Sequence, residues 1–161
     1  LCYFLGRNEQ YWTLINEYAK EKELKLVVIP IYEKDKERSD YVFSNIGPSQ
    51  FIKLVNNASM IFTDSYHGTI FSILFSKEFL TFFRFNNREA NKSNQNTRIT
   101  SLLNKFNLND HLHIEDSKSL IINNIDYLTV SKEIERLREH SFNYLLKCLK
   151  KEKRENSYEW K

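Results

Sequence analysis

Short apolar runs alternate along the chain with segments in which apolar residues recur every three or four positions. Four runs have the length of a strand: 1–5, 26–29, 60–63 and 79–83. The run 26–29 is apolar at every position, which is typical of a parallel strand covered by helices on both faces. The first intervening segment has helical spacing, with an apolar face formed by Tyr11, Leu14, Ile15, Tyr18 and Ala19. This alternation predicts a Rossmann-like, doubly wound parallel sheet.

Local residues indicate where the later helices begin and which segments are loops. Pro48 follows Gly47 at the start of a second helix, because a first helical turn tolerates proline. A third helix is predicted to begin near His67, and further helices are predicted at 99–106 and 131–149. The charged segment 32–44 predicts a surface loop. The Asn- and Ser-rich segment 86–97 predicts a long loop of the functional or disordered kind.

The domain prediction is a single Rossmann-like domain over 1–149, followed by a charged tail over 150–161. The sequence contains no internal repeat and no linker that would divide it further. The first residue is Leu1 rather than Met, and it already belongs to a strand-like run. We therefore expect this chain to be a piece of a longer protein, and we find no signal-peptide pattern in it.

The composition argues against nucleic acid as a partner and against a membrane span, and it favours a reducing compartment. Lys and Arg together number 24 against 21 Asp and Glu, a formal charge of +3 in 161 residues. That charge is too small to predict nucleic-acid binding, and no apolar run approaches the roughly 20 residues of a membrane span. Cys2 and Cys148 are too few for a disulfide framework, which favours a reducing, cytoplasmic setting.

The basic residues near the carboxyl terminus have two interpretations. They are Lys147, Lys150, Lys151, Lys153 and Arg154. They could bring the chain to the inner face of an anionic membrane, or they could form the solvated end of a helix. The interleaved Glu152 and Glu155 favour the second interpretation.

The segment 63–69 is the densest candidate site, because it lies between a buried strand and a buried helix. Ligands of open α/β sheets bind at the carboxyl ends of the strands, and a helix that begins there favours an anion. Asp64 or Ser65 can cap this helix, His67 is titratable, and Gly68 allows a ligand to approach the backbone. Ordinary helix capping beside a structural histidine explains the same pattern, and spacing alone does not decide between the two.

Two further segments carry weaker candidates for anion binding. The start of the second helix, 45–51, could face the same crevice, although a simple loop with a proline-initiated helix is the favoured interpretation. Four cations follow the fourth strand: Arg84, Arg88, Lys92 and Arg98. Arg84 and Arg98 bracket the polar loop and are the better candidates, because guanidinium groups suit carboxylate and phosphate. Arg88 and Lys92 are expected to be solvated.

Metal and cofactor chemistry is not predicted. His111 and His113 have Asp110, Glu115 and Asp116 nearby, and strand alternation would place both imidazoles on one face. A zinc site usually needs three or four converging ligands, so a structural role is favoured. The chain contains only three glycines, and the glycine-rich phosphate loops and the G-x-S-x-G elbow are missing. We therefore predict no cofactor.

Several blocks of the sequence together resemble the carboxyl-terminal half of the polysaccharide pyruvyl transferase family. They are Gly47-Pro48-Ser49-Gln50-Phe51 with Asn57-Ala58, then 63–72, then 97–103 and the closing stretch 125–141. The most specific block is Asp64-Ser65-Tyr66-His67-Gly68-Thr69 in its strand-to-helix context. The resemblance covers most of the chain.

The resemblance implies a two-domain protein of glycosyltransferase-B-like shape, of which this chain is the second domain and the N-terminal domain is missing. It also implies a transferase that moves the pyruvyl group of phosphoenolpyruvate onto a surface-polysaccharide sugar as a cyclic ketal. The family's donor-site histidine corresponds to His67, and the neighbouring Ser65, Gly68 and Thr69 are predicted to belong to the donor site. The acceptor would be a saccharide, either nucleotide-linked or lipid-linked, and the chain alone is expected to be inactive.

One position departs from the family pattern. Members tend to carry Arg two residues before this histidine, where the present chain has Ser65. Arg84 or Arg98 is the candidate to supply the missing charge. Two alternative functions remain open: a nucleotide-sugar-dependent glycosyltransferase of similar fold, and a non-catalytic domain that binds an anion or a sugar.

Overall fold

The structure is a computed structural model that describes residues 1–7, 9–84, 93–113 and 119–155, without the side chains of 93–95 and 150–155. The chain divides into two compact units, Leu1–Ile125 and Asp126–Lys161. No helix among the described residues is long and apolar enough to cross a membrane. The candidate site lies entirely in the first unit.

The first unit is built on a parallel sheet, as the apolar runs predict. Within the described residues its strands are β1 (Cys2–Tyr3), β2 (Val27–Val28), β3 (Tyr41–Val42), β4 (Met60–Thr63) and β5 (Glu78–Thr81). They are ordered β3-β2-β1-β4-β5, and every neighbouring pair is parallel. Helices flank the sheet, so the first unit is an α/β structure compatible with a Rossmann-like fold.

The helices that follow the strands are close to their predicted positions. In the first unit they are α1 (Glu9–Glu21), α2 (Pro48–Asn57), α3 (Tyr66–Leu74) and α4 (Ser93–Lys105). Shorter 3₁₀ turns cover Glu33–Arg38 and Asn109–His111. The structure confirms the proline-initiated start of α2 and the start of α3 beside His67, while α4 begins several residues before the predicted Ile99.

The prediction of a loop over 32–44 was wrong, because the segment contains both a 3₁₀ turn and the edge strand β3. Tyr41 and Val42 are exposed, and β3 is held by its backbone: the N–H groups of Tyr41 and Phe43 donate to the carbonyls of Leu26 and Val28 at 3.1 and 2.9 Å. The run Tyr41-Val42-Phe43 has residues that favour strands, but it is only three residues long and follows a charged segment, so it does not stand out as a buried strand.

Aromatic packing forms the core between the sheet and α1. Phe4 after β1, Phe62 in β4 and Phe82 after β5 are all buried. Tyr11 and Trp12 of α1 belong to the same core cluster. Phe4 lies edge-on to Trp12 at 5.4 Å between ring centroids, and Tyr11 lies 4.5 Å from Phe82. These contacts fix α1 against the strand ends that carry the site.

The second unit is dominated by one long helix, α5 (Tyr127–Glu155). Asp126 precedes it and accepts hydrogen bonds from the backbone N–H groups of Leu128 and Thr129 at 3.1 and 3.3 Å. This cap explains why α5 begins earlier than the predicted Ser131. Of the predicted charged tail, 156–161 lies outside the described residues.

The order of strands places a topological switch point between β1 and β4. The chain runs outward from β1 through β2 to β3, and then returns to pair β4 with the other side of β1. Crossover helices diverge at such a point and leave a crevice at the carboxyl ends of the strands. Leu5 and Gly6 follow β1 there, and Asp64 and Ser65 follow β4.

Candidate functional site

Asp64 joins the two chain segments that meet at the switch point. Its Oδ1 atom accepts the backbone N–H of Leu5 at 2.7 Å, and its Oδ2 atom accepts that of Gly6 at 2.8 Å. The Asp64 side chain is fully buried. A buried carboxylate is tolerated where donors satisfy its oxygens, so Asp64 fixes the path of the chain after β1.

Arg84, which follows β5, is a cation beside Asp64. The Arg84 Nε atom lies 3.9 Å from Asp64 Oδ2, and its Nη2 atom donates to the Asp64 carbonyl at 3.4 Å. Burial raises the pKa of Asp64, and the two N–H donors and Arg84 oppose that shift. Asp64 therefore helps to hold the Arg84 guanidinium at the edge of the sheet.

Gly6 allows this close approach between the β1 loop and Arg84. A Cβ atom on Gly6 would lie 2.8 Å from Arg84 Cγ and 2.9 Å from Asp64 Oδ2. Both distances are shorter than real Cβ contacts, so any side chain at residue 6 would displace Arg84 or the Asp64 carboxylate. The glycine is a packing requirement of this site.

Ser65 is the N-cap of α3, which decides between the two capping candidates of the sequence. Its hydroxyl accepts the N–H of Gly68 at 3.3 Å, while Asp64 turns toward the β1 loop instead. The first N–H groups of a helix have no acceptor within the helix. In α3 the first N–H groups are those of Tyr66 and His67. The dipole of α3 therefore favours negative charge in front of these two residues.

Gly68 and Thr69 pack α3 against the sheet. A Cβ atom on Gly68 would lie 2.5 Å from the Oγ1 atom of Thr63, a fully buried residue of β4. Thr69 is also fully buried, and its hydroxyl donates to the Ser65 carbonyl at 3.0 Å and lies 2.9 Å from the hydroxyl of Thr81. These contacts set the start of α3 directly above the end of β4.

A cavity of about 220 Å³ opens in front of this helix start. Its polar lining comes from Asp64, Ser65, His67, Arg84, Asn96 and Arg98. His67 is exposed, whereas Asp64 and Ser65 form the buried floor. The cavity thus combines an imidazole, two guanidinium groups and the amino terminus of a helix.

Arg98 reaches the cavity from α4, and an aromatic ring supports it. Its Cζ atom lies 4.4 Å from the centroid of the Tyr66 ring, within the range of a cation–π contact. The same ring lies edge-on to the His67 imidazole at 5.9 Å between centroids. Tyr66 therefore lies beside both groups that are candidates for donor chemistry.

The structure brings together four of the predicted site residues: Ser65, His67, Arg84 and Arg98. Gly68 and Thr69 lie behind them and do not line the cavity. Arg88 and Lys92 lie outside the described residues. Sequence analysis missed Tyr66 and Asn96; Tyr66 stands within the most specific block and could have been selected as an aromatic neighbour of His67.

The start of α2 has a different character. The Gly47 N–H donates to Gln50 Oε1 at 2.6 Å, which satisfies one donor of this helix start. A neighbouring hollow of about 400 Å³ is lined mainly by apolar groups, among them Tyr3, Phe51 and Phe71. No charged side chain is among the described residues that line this hollow. This agrees with the prediction that 45–51 is a loop and a proline-initiated helix start rather than an anion site, which stays a prediction.

His111 and His113 lie in different surroundings rather than on one face of a strand, so that geometric expectation was wrong. His111 ends a 3₁₀ turn and its Nδ1 atom lies 3.1 Å from the Phe79 carbonyl. His113 packs against Tyr11 and Phe82, and burial lowers its pKa. No group of three metal-ligating side chains occurs among the described residues, and Glu115 and Asp116 lie outside them.

A family model for polysaccharide pyruvyl transferase matches residues 3–82. The chain belongs to the polysaccharide pyruvyl transferase family. No curated protein and no solved structure matches it. Polysaccharide pyruvyl transferase is therefore the general activity that the family membership indicates.

The matched residues contain β2 to β5 and Tyr3 of β1, but only part of the cavity. Asp64, Ser65 and His67 lie within the match, whereas Arg84 and Arg98 lie beyond its end. In this member of the family, Arg84 and Arg98 thus reach the site from the end of β5 and from α4. The buried Ser65 caps α3, so the position at which members tend to carry Arg has a structural role here.

Proposed function

We propose that this chain contributes the donor site of a transferase that moves a pyruvyl group from phosphoenolpyruvate to two hydroxyls of a saccharide. The product is a cyclic ketal in a cell-surface polysaccharide. The observation that carries the proposal is the convergence of His67, Arg84 and Arg98 on one cavity at the switch point. That cavity lies beside the family's most specific block of residues.

The charges of the cavity suit a small trianion. Phosphoenolpyruvate carries a carboxylate and a phosphate, and the lining supplies two arginines against one aspartate. Arginine presents a planar fork that binds carboxylate or phosphate through two hydrogen bonds. The N–H groups of Tyr66 and His67 add donors at the positive end of α3. Arg84 and Arg98 thus replace the charge that Ser65 does not provide.

Pyruvyl transfer requires a proton donor at the methylene carbon of phosphoenolpyruvate. A proton added to C3 leaves an oxocarbenium-like centre at C2, which one sugar hydroxyl attacks, and the proton of that hydroxyl returns to the group that protonated C3. The bond between C2 and the phosphate oxygen then breaks, and the second hydroxyl closes the ketal while its proton goes to the phosphate. One ketal and one hydrogen phosphate are formed, so atoms and charges balance.

His67 is the residue proposed to donate that proton. It is exposed to the cavity, and histidine is the side chain most often used in general acid–base catalysis. The helix start and the two arginines stabilise the negative charge of the departing phosphate. No metal or cofactor takes part in this proposal.

We further propose that an N-terminal domain preceding this chain completes the enzyme, in a glycosyltransferase-B-like arrangement. The support is the resemblance of the quoted blocks to the carboxyl-terminal half of the family and the exposed position of His67 at the edge of the sheet. The saccharide acceptor, nucleotide-linked or lipid-linked, would then enter from the side of that domain. The chain alone should bind the donor without turning it over.

The test uses the full-length gene product with phosphoenolpyruvate and a panel of nucleotide-linked and lipid-linked sugars. Phosphate release and the mass of the ketal product are followed together. His67→Ala should lower kcat by at least about a hundredfold. The matched control is His140→Ala, which changes an exposed histidine of α5 and should leave kcat unchanged.

Three outcomes would contradict the proposal. An effect of His67→Ala on KM alone would make His67 a binding residue rather than the acid. Consumption of a nucleotide sugar in place of phosphoenolpyruvate would favour the glycosyltransferase alternative. Binding of phosphoenolpyruvate to the full-length protein without turnover of any acceptor would favour a non-catalytic anion-binding domain.

A further inference from the structure

A second cavity lies beside the donor cavity, at the carboxyl ends of β1 and β2. Its volume is about 280 Å³, near the lower end of the roughly 300–1,000 Å³ range of small-molecule pockets. Gly6 and Arg7 line it from the β1 loop, Trp12 from α1, and Tyr32 and Arg38 from the segment after β2. None of these residues lines the donor cavity.

Aromatic rings hold the two arginines of the second cavity. The Cζ atom of Arg7 lies 4.8 Å from the centroid of the Tyr32 ring, and that of Arg38 lies 5.3 Å from the Trp12 ring. Arg38 also pairs with Glu9. These contacts restrict the planar guanidinium groups, so their donors are arranged before a ligand arrives.

The charges of this lining cancel, unlike those of the donor cavity. Arg7, Lys34 and Arg38 are balanced by Glu9, Glu33 and Asp35. Asp35 is buried, and its Oδ2 atom accepts the N–H groups of Ile31 and Tyr32 at 3.1 and 2.9 Å. Interleaved donors and acceptors without net charge suit a neutral ligand rich in hydroxyls, since each hydroxyl both donates and accepts.

The peptide between Leu5 and Gly6 separates the two cavities. Leu5 lines the donor cavity and Gly6 lines the second one, and adjacent Cα atoms are only about 3.8 Å apart. This peptide is fixed on both sides: Asp64 accepts its N–H, which belongs to Gly6, together with the preceding N–H of Leu5, and the Tyr32 hydroxyl donates to its carbonyl, which belongs to Leu5, at 3.1 Å. Two ligands in these cavities would therefore lie side by side.

We propose that the second cavity binds the saccharide acceptor as a neutral pyranose ring, an assignment that rests on the proposed function. Tyr32 and the small exposed part of the largely buried Trp12 line the cavity and offer apolar surface to the C–H groups of the ring, beside the arginines that lie over their faces. Arg7 and Arg38 donate to its hydroxyls, and the carboxylates accept from them. The Leu5–Gly6 peptide then sets the distance between the sugar hydroxyls and C2 of the donor.

The experiment uses Trp12 as a reporter. Trp12 and Trp160 are the two tryptophans of this chain, so Trp160→Phe leaves Trp12 as the one indole that this chain contributes. Its fluorescence and its ¹H–¹⁵N resonance are followed during titration with methyl pyranosides of hexoses and N-acetylhexosamines, and separately with phosphoenolpyruvate. At least one pyranoside should give a saturable change in the Trp12 signal.

Variants distinguish the two cavities. Arg7→Ala and Arg38→Ala should weaken pyranoside binding about tenfold or more, as expected for loss of a hydrogen bond from a charged group, and should leave phosphoenolpyruvate binding unchanged. Arg98→Ala should do the reverse. Arg138→Ala, which changes an exposed arginine of α5 paired with Glu135, is the matched control and should affect neither ligand.

Two results would overturn the assignment: no saturable change of Trp12 with any pyranoside, or pyranoside affinity that is equal in the wild type, Arg7→Ala and Arg38→Ala. Failure of the proposed function gives a different pattern. In that case pyranosides still bind in a manner that depends on Arg7 and Arg38, which supports the saccharide site, while phosphoenolpyruvate neither binds nor reacts.

Discussion

The Oδ2 atom of Asp64 lies 3.9 Å from the Nε atom of Arg84, so a fully buried carboxylate after β4 faces a guanidinium group after β5. The same carboxylate holds the N–H groups of Leu5 and Gly6 after β1. Three strand ends that are distant in the sequence are thereby connected by one side chain. Several measurable consequences depend on this arrangement and on the packing around it.

Asp64→Asn should destabilise the protein by about 1–3 kcal/mol, the usual cost of leaving a buried donor unsatisfied. An asparagine side chain has one oxygen, so it can accept one of the two N–H groups while its NH₂ group faces the other. Urea unfolding measures the change in the free energy of unfolding. The control is Asp40→Asn: Asp40 is exposed, its Oδ2 atom accepts the Leu26 N–H, which an asparagine oxygen can also accept, and its Oδ1 atom lies 3.5 Å from the exposed Lys25 Nζ atom. Equal losses in both variants would contradict the prediction.

Gly68→Ala should also lower the free energy of unfolding, by about 1–3 kcal/mol, because the new methyl group would overlap Thr63 in the core. Thr63 cannot move freely, since its hydroxyl donates to the Tyr3 carbonyl at 2.6 Å. Gly47→Ala is the matched control: its Cβ would meet Gln50 Oε1 at an ordinary 3.5 Å, so its loss should be smaller. Thermal unfolding compares the two variants, and a stability of Gly68→Ala equal to the wild type would refute the packing argument.

Arg98→Lys should weaken phosphoenolpyruvate binding about tenfold, because lysine keeps the charge but loses the planar fork and its stacking on Tyr66. Ser65→Ala should instead cost about 1 kcal/mol of stability through loss of the helix cap, with donor affinity retained. Calorimetric titration measures affinity, and urea unfolding measures stability. If Ser65→Ala impaired binding as strongly as Arg98→Lys, the division between structural cap and anion-binding residue would be wrong.

The stability of the protein should decrease on acidification through His113. Burial lowers the pKa of His113 in the folded protein. Below about pH 6.5 the unfolded chain therefore binds more protons than the folded chain, so the free energy of unfolding decreases as the pH is lowered. His113→Phe should remove this part of the pH dependence and fit between Tyr11 and Phe82. Unfolding at about pH 7.5 and 5.5 tests the prediction. His140→Phe, at an exposed position on α5, should keep the dependence of the wild type.

Much of the sheet could be predicted because burial leaves a pattern in the sequence. Each residue of β4 is buried, and the apolar run 60–63 matches its bounds. The edge strand β3 is only two residues long and both residues are exposed, so the short run Tyr41-Val42-Phe43 does not stand out as a strand after the charged segment that precedes it. Sequence periodicity reports on burial, so it detects central strands and misses short edge strands.

The cavity could be predicted only in part. The polar loop after β5 suggested Arg84 and Arg98 by their position, and both line the cavity with His67. The role of Asp64 could not be derived, because its partners Leu5 and Gly6 lie nearly sixty residues earlier and no local rule connects them. The second cavity was missed for the same reason: Trp12 and Arg38 are stacked by the fold, not by their spacing.

The donor cavity has its described shape only while Asp64 holds the N–H groups of Leu5 and Gly6. Their amide hydrogens are held by a carboxylate that water does not reach, so hydrogen exchange there requires β1 and β4 to separate. During folding, the loop after β1 gains its final shape only after the chain has returned through α2 to add β4. Donor binding therefore requires β4 to be paired with β1, and amide exchange at these two positions should be as slow as that of the central strands.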